Sequence, residues 1–440
     1  MFPAYSSNSN TCSCSCTILR LIFVVSKNFG KWIVEDLVVS QEIFLLLEPL
    51  IRTSRIFGIF PVVLKRNGNR LILHCSYLFG IYSYILSITL AITTVTGIVK
   101  DIEKDPSESL KMKDKKTRFV ACCDITIVTL VVIYGVVSLP LRMKKFWSLI
   151  ICLNQANEII PLENLVKLLK SSRYILGMVL TVALGILGGD LILWLIHSQK
   201  IGINPVVYIE YYLPFYLNYM VVIMHGLFYW HLIFFIKIRI SLLNKSLIAM
   251  KKSMCMNCSF NSRDMISEIN AGEFVRLYQH PSRIHIQKLE ALMKLEGKIM
   301  ESVDIVNGSM EFGLPMIVLS CLLHLIFTPY FLQTSKNSNS PIWIMYLILI
   351  IGHIGRLFIL VEPCQSCIRE KKKTTIILCQ LLRCEFERPV KIMISSFILR
   401  ISQFRLQFSS CGYFKINRAL IIKVAGSVTT YLVILFQFNY

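Results

Sequence analysis

The chain has 440 residues, 55% of them hydrophobic and only 17% charged, with a formal net charge of +21. So apolar a composition excludes an ordinary soluble globular protein, which would cover its cores with more charge, and points to an integral membrane protein. The positive charge does not point to nucleic acid, because the basic residues sort by inter-span segment instead of gathering in one patch.

In chain order, residues 1–53 form an N-terminal segment of unknown role, expected on the cytoplasmic side. Its apolar run at residues 18–25 is too short to span, and no small-residue cleavage site follows, so no signal peptide is assigned. Cys12, Cys14 and Cys16 read as part of a disordered tail, or as acylation sites at the inner surface. Apolar stretches of about twenty residues, the length that crosses a bilayer core of about 30 Å, then recur at residues 71–97, 119–141, 174–196, 206–236, 312–333, 342–361 and 420–438. The fold expected is all-α, with seven transmembrane helices.

The connecting segments set the orientation. Lys200 is the one base between spans three and four, and Lys336 the one between five and six. Arg142, Lys144, Lys145, Lys167 and Lys170 lie between spans two and three, Arg239, Lys245, Lys251 and Lys252 follow span four, and Arg369, Lys371, Lys372 and Lys373 follow span six. By the positive-inside rule the loaded segments face the cytoplasm, which puts the N-terminus inside and the C-terminus outside. The basic loop from Lys100 to Arg118 dissents, although Asp101, Glu103, Asp105, Glu108 and Asp114 offset much of its charge.

Small motifs exclude other classes. Most cysteines fall in spans or in segments assigned to the reducing side, which argues against a disulfide framework. Cys255-x-x-Cys258 and Cys364-x-x-Cys367 have zinc-like internal spacing but would have to converge to close a site. The sequons at Asn244, Asn257 and Asn307 lie on the side that is not glycosylated. His225, His231, His324 and His353 have no metal-ligand spacing, and neither a phosphate loop nor a serine elbow is present, so no enzyme, metal or cofactor is expected.

Ionisable groups inside spans cost about 2.5–3.5 kcal/mol at a helix centre, so each needs a partner or a wet cavity. Asp124 in span two and Asp190 in span three fall at similar depth toward the outer side, and Trp194, four residues beyond Asp190, shares its helix face. Tyr216 and Tyr219 on span four, His324, Thr328 and Tyr330 on span five and Tyr346 on span six occupy the same level. Together they read as the lining of an outer cavity for a small polyhydroxy ligand, aromatic faces covering C–H surface and carboxylates and phenols taking hydroxyls. Asp190 could instead bond a neighbouring helix. Tyr208, Tyr211 and Tyr212 read as interfacial anchors. Arg356, with Glu362 two turns on, reads as fixing helix packing.

The last span ends on Thr430-Tyr431, five apolar residues from Leu432 to Phe436, then Gln437-Phe438. Wound as a helix, Thr430, Val433, Ile434 and Gln437 share one stripe, polar at both ends and apolar between, which suits a pore wall. This ending resembles the C-terminal signature of insect gustatory receptors at every specified position. Four further stretches resemble the fructose-sensing lineage of that family: Leu213-Pro214-Phe215-Tyr216, Ser320-Cys321-Leu322-Leu323-His324-Leu325 running to Tyr330-Phe331, Val361-Glu362-Pro363-Cys364, and Cys411-Gly412 with Asn417-Arg418.

The resemblance implies a tetrameric, ligand-gated, nonselective cation channel of a plasma membrane, in chemosensory neurons or other nutrient-sensing cells. Residues 54–237 would form the ligand-pocket side, 238–311 a cytoplasmic anchor, and 312–440 the remaining spans, with the last helix lining one shared pore. Gln437 and Phe438 match the family's gate positions. Asp124, Asp190, Trp194 and Tyr330 match its pocket positions, which implies a sugar or polyol tastant and a homo- or hetero-tetramer with other gustatory receptors. Where fructose-binding relatives carry a glutamine and a tryptophan on span six, this chain has Tyr346 and Leu349, which weakens the case for fructose itself. A seven-span G protein-coupled receptor and a family member tuned to a bitter compound stand as alternatives. The first would expose the N-terminus, and its Asp-Arg-Tyr and Asn-Pro-x-x-Tyr motifs are absent.

Overall fold

The computed structural model describes residues 36–437 apart from 69, 105–108, 110–114, 201, 203, 262–270, 336–341, 385 and 411; at 115–117, 254–261, 271–282, 334–335 and 342 it describes the helical backbone alone. Cys12, Cys14, Cys16, Cys411 and Phe438 therefore lie outside the described residues, as do the side chains of Cys255, Asn257 and Cys258. In chain order the elements are β1 (Leu37–Val39), α1 (Gln41–Ile56), β2 (Val62–Asn67), β3 (Arg70–Cys75), α2 (Tyr77–Ile102), α3 (Lys115–Val137), α4 (Leu139–Ile159) and α5 (Leu165–Lys200). They continue with α6 (Pro205–Asn261), α7 (Ala271–Ser309), α8 (Gly313–Ser335), α9 (Ile342–Leu382), α10 (Arg388–Gln403), β4 (Ser409–Ser410), β5 (Phe414–Lys415) and α11 (Arg418–Gln437).

Among the described residues seven helices, α2, α3, α5, α6, α8, α9 and α11, are long and apolar enough to cross a membrane. The fold is mostly helical rather than purely so. An antiparallel sheet of order β1-β3-β2 precedes α2, with Leu64 opposite Leu73 and Val62 opposite Cys75. Residues 71–75, expected at the start of the first span, thus belong to a strand. The turn into β2 needs Gly58, whose φ is +66° and where a Cβ would come within 3.3 Å of the Ser83 Cα.

The second expected span also ends early. Pro140 sits at the start of α4, lacks an N–H to donate and disfavours helix at the residue before it, so the chain breaks at Ser138 and restarts. Helices α6 and α9 run the other way, far past the bilayer: 57 residues in α6 make a rod of about 85 Å, against a hydrocarbon core of about 30 Å.

Their overhanging ends join α1, α4, α7, α10 and the small sheet in a helical base. These helices have one apolar face each, as the buried sets Ile43, Leu46, Leu47, Leu50, Ile51 in α1 and Val390, Ile394, Phe397, Ile401 in α10 show. Each such side chain contributes about 1.5–3 kcal/mol of burial. Several polar groups inside the base are paired across helices. Glu296 of α7, 1% exposed, accepts from Lys371 of α9 and lies 3.4 Å from Arg400 of α10. Arg239 of α6 donates to the Ile160 carbonyl at 2.8 Å and to Asn157 at 2.9 Å, tying α6 to α4. Two of the sequon asparagines serve here as well: Asn244 donates to the Glu370 carbonyl and Asn307 to that of Gln407.

Helix α6 is the central post, packed against α2, α3, α5, α7 and α9. Helix α11 is peripheral and touches α8 and α9. Where α2 crosses α6, a Cβ on Gly97 would collide with the Tyr211 main chain, so a glycine there sets how closely the two can approach.

Candidate functional site

Tyr208, Tyr212 and Tyr216 repeat every fourth residue and so form one stripe along α6. Around that stripe a polar network closes between three helices. The Tyr208 and Tyr216 hydroxyls share a hydrogen bond of 3.0 Å, and Tyr216 donates in turn to Asp190 of α5. Trp194, one turn beyond Asp190, stacks on Tyr208 with ring centroids 6.2 Å apart and planes 10° from parallel, and Tyr208 stacks on Tyr212 at 4.9 Å. Tyr212 donates to Asp101 at the end of α2 over 2.5 Å, and the Ser109 hydroxyl approaches the same oxygen at 3.3 Å. Both carboxylates are buried and both accept from phenols, which is what makes them tolerable inside a bundle.

Tyr208 and Tyr212 are therefore interior residues, 0% and 2% exposed, and not the interfacial anchors that their place near a span end suggested. Tyr346 of α9 lies within electrostatic reach of Tyr208 and Tyr216 and stacks on Phe331 at 6.0 Å, while buried Tyr330 meets Phe331 edge-on at 5.9 Å.

A second network lies further along α6 and holds Asp124 apart from Asp190. Asp124 of α3 pairs with His324 Nε2 of α8 at 2.7 Å, and the other ring nitrogen of His324 is 2.6 Å from the Ser320 carbonyl. Facing a carbonyl, which only accepts, Nδ1 of His324 is the donor of that contact. The His353 ring of α9 lies 4.4 Å from that of His324. Arg356 donates to the Tyr219 hydroxyl, which leaves that hydroxyl's proton for His353 Nδ1 at 2.8 Å. Four helices thus meet at one charged cluster.

Arg356 and Glu362 do not act as a pair. Arg356 turns inward to Tyr219, its guanidinium carbon 4.7 Å from the ring centre, whereas Glu362 faces outward. Glu362 accepts from Arg418 through both carboxylate oxygens at 2.9–3.1 Å, and from Arg369 at 2.9 Å. Arg418 opens α11, so this fork joins α9 to the last helix. Along α11, Leu420 and Val424 are the buried residues, and Thr430, Val433, Ile434 and Gln437 are all exposed on one stripe. Cys364 and Cys367 are buried in α9 with Cys364 Sγ 3.1 Å from the Tyr229 hydroxyl.

The profile of the family described as 7tm chemosensory receptors matches residues 47–440. The chain belongs to that family. Among curated proteins this receptor is similar to the Drosophila melanogaster gustatory receptor for sugar taste 43a, 26% identical over 418 residues that make up 88% of this chain and 96% of the relative. It is also similar to the putative gustatory receptor 28b of the same fly, 27% identical over 167 residues, 34% of each chain. Among solved structures the insect olfactory receptor OR5 from Machilis hrabei, in complex with eugenol, matches with a TM-score of 0.59 at 16% identity, covering 91% of this chain and 100% of that one. A second structure of the same olfactory receptor gives 0.57 at 14% identity, over 89% and 98%.

In this receptor the family-like stretches are where the networks are made. Leu213-Pro214-Phe215-Tyr216 supplies the phenol on Asp190, and Ser320 to His324 supplies both partners of one imidazole. Glu362 and Arg418, from two separate stretches, meet each other. Sequence reasoning placed Tyr219 at the level of the site but passed over Asp101, Tyr212 and His353 as network members. The four-residue spacing of tyrosines on α6 was the available signal, but only the crossing of α2 over α6 brings Asp101 to it.

Proposed function

We propose that this chemosensory receptor is a ligand-gated, nonselective cation channel of a plasma membrane, opened by a sugar or polyol and assembled as a tetramer. Its N-terminus and helical base face the cytoplasm and the end of α11 faces outside. The observation that carries this reading is α11 itself: a spanning helix held to its own bundle near its start, with the stripe of Thr430, Val433, Ile434 and Gln437 left exposed. Four such helices around one axis give a wall that is apolar in the middle and polar at its ends. An apolar constriction of that kind stops ions by dewetting and opens on a small helix movement. Gln437 forms the narrow end.

The ligand enters among α2, α5, α6, α8 and α9, where Trp194 and Tyr208 present stacked faces and Asp190, Tyr216 and Tyr346 present acceptors and donors. Ligand hydroxyls exchange with the Tyr216–Asp190 and Tyr208–Tyr216 hydrogen bonds. A sugar or polyol, with several hydroxyls on a compact C–H frame, matches this set better than an apolar odorant does. Ligand binding shifts the population toward the open arrangement, and movement of α9 reaches α11 through Glu362 and Arg418.

The test is a Val433→Cys receptor in a cell with little background current, stimulated with a panel of sugars and polyols. A membrane-impermeant thiol reagent added outside during stimulation is expected to cut the current in the variant and leave the parent receptor unchanged. Labelling of surface Val433→Cys protein with no change in current would remove α11 from the ion path.

A further inference from the structure

Arg142 lies in the first turn of α4, just past the break at Ser138, and is 4% exposed. Its Nη1 donates to the Gly135 carbonyl at 3.3 Å, and its buried Nη2 has no partner among the described residues. A small cavity between α4, α6 and α7 is lined by this guanidinium, by Lys145 one turn on, and by Ser309, with Phe60, Phe228 and Met310 among its apolar walls. Lys145 spends one ammonium hydrogen on the Gly308 carbonyl, at 2.5 Å, and keeps two. Among the described residues no carboxylate pairs with either cation. Burial pulls the Arg142 guanidinium down to about 10, so it is still charged at neutral pH. Faces of Phe60 and Phe228, 5.7 and 5.9 Å from its guanidinium carbon, cover the cation but bring no counter-charge.

A buried cation without a counter-charge is one of the costliest arrangements in a protein interior, and here two basic groups line one space. Elsewhere in the base the same problem is solved with a carboxylate, as Glu296 does for Lys371 and Arg400. The cavity has room for about one water-sized occupant, and a halide, somewhat larger than water, is admitted by a small outward shift of the half-buried Lys145 side chain. Water would accept from Nη2 but leave both charges uncompensated, and a phosphate group is too large. We propose that this cavity is a binding site for a small monovalent anion of halide size, chloride in the cell, held by Arg142 and Lys145. Its occupancy ties the start of α4 to the end of α7, because Arg142 and Lys145 lie on α4 and Ser309 closes α7.

The test uses the purified full-length receptor in a neutral detergent, unfolded by heat at constant ionic strength in sodium chloride, sodium bromide or sodium gluconate. Chloride and bromide are expected to raise the midpoint by roughly 2–4 °C over gluconate, saturably. Arg142→Met and Lys145→Met are each expected to flatten that dependence. If Arg142→Met does not fold, Lys145→Met carries the comparison. Equal midpoints in chloride and gluconate, or a halide shift of full size in Lys145→Met, would overturn the site. A parallel series in lipid nanodiscs with and without phosphatidylglycerol separates a free halide from a lipid phosphate: if the anionic lipid abolishes the chloride effect in the parent receptor, the occupant is a headgroup and the halide assignment fails.

Discussion

The base and the last helix handle exposure in opposite ways. In the base, α1, α4, α7 and α10 each turn an apolar face inward, and most charges that go inside are met by charges or carbonyls from another helix, as Glu296, Lys371 and Arg400 are. In α11 a similarly apolar sequence buries only Leu420 and Val424 and leaves its polar-ended stripe outside. The contrast teaches that apolar and charged groups of the base are mostly buried against other parts of the same chain, Arg142 being an exception, whereas α11 keeps most of its surface exposed.

The sharpest way to break this comparison is to unpair the base. Glu296→Ala strands Lys371 as a buried cation, and a loss of about 3–5 kcal/mol is expected, read as a lower unfolding temperature and reduced surface expression. A variant as stable as the parent would mean that the base is not held by its paired charges. Next in size is the crossing of α2 and α6. Gly97→Ala forces a methyl into the Tyr211 main chain and is expected to cost about 1–3 kcal/mol, whereas Gly177→Ala on α5, which meets open space, should stabilise by up to about 1 kcal/mol. The two measured side by side in thermal unfolding distinguish a close-approach glycine from an ordinary helical one.

Smaller effects test the polar networks. Asp190→Asn removes the charged acceptor from Tyr216 and is expected to raise the half-maximal concentration of an activating sugar or polyol about tenfold, close to 1.4 kcal/mol, with unitary conductance unchanged. A changed conductance would place Asp190 in the ion path. Smallest in stability is Arg418→Gln. The fork to Glu362 is solvent-exposed and worth about 0–1 kcal/mol, so unfolding should hardly move. Activation by ligand should nevertheless weaken, and normal activation would show that α9 does not signal to α11 through this contact.

The spans were legible because length and apolarity alone identify them, and all seven spanning helices overlap the stretches read from sequence. The base was not, since α4, α7 and α10 mix charge with apolar residues and bury only one face. The β2–β3 hairpin carried its own signal, a β-branched run and Asn67-Gly68 at a turn, but Leu71-Ile72-Leu73 is as apolar as a membrane helix and was absorbed into the first span. At the site, Trp194 could be placed beside Asp190 from spacing on one helix. Which partners those residues take could not be read, because Tyr216, Asp101 and His353 reach them across helices. Tyrosine near a span end is equally suited to lipid headgroups and to an interior bond, so Tyr208 and Tyr212 were misplaced until the packing of α2, α5 and α6 decided the matter.

Pro214 falls between Tyr212 and Tyr216, the two phenols that reach Asp101 on one side and Asp190 on the other. A proline there omits one rung from the main-chain ladder of the longest helix in the molecule. The stiffest member of the receptor is consequently most pliable at the level of its buried phenols, and whatever pulls on one of them tilts it relative to the other before the rest of the rod has to bend.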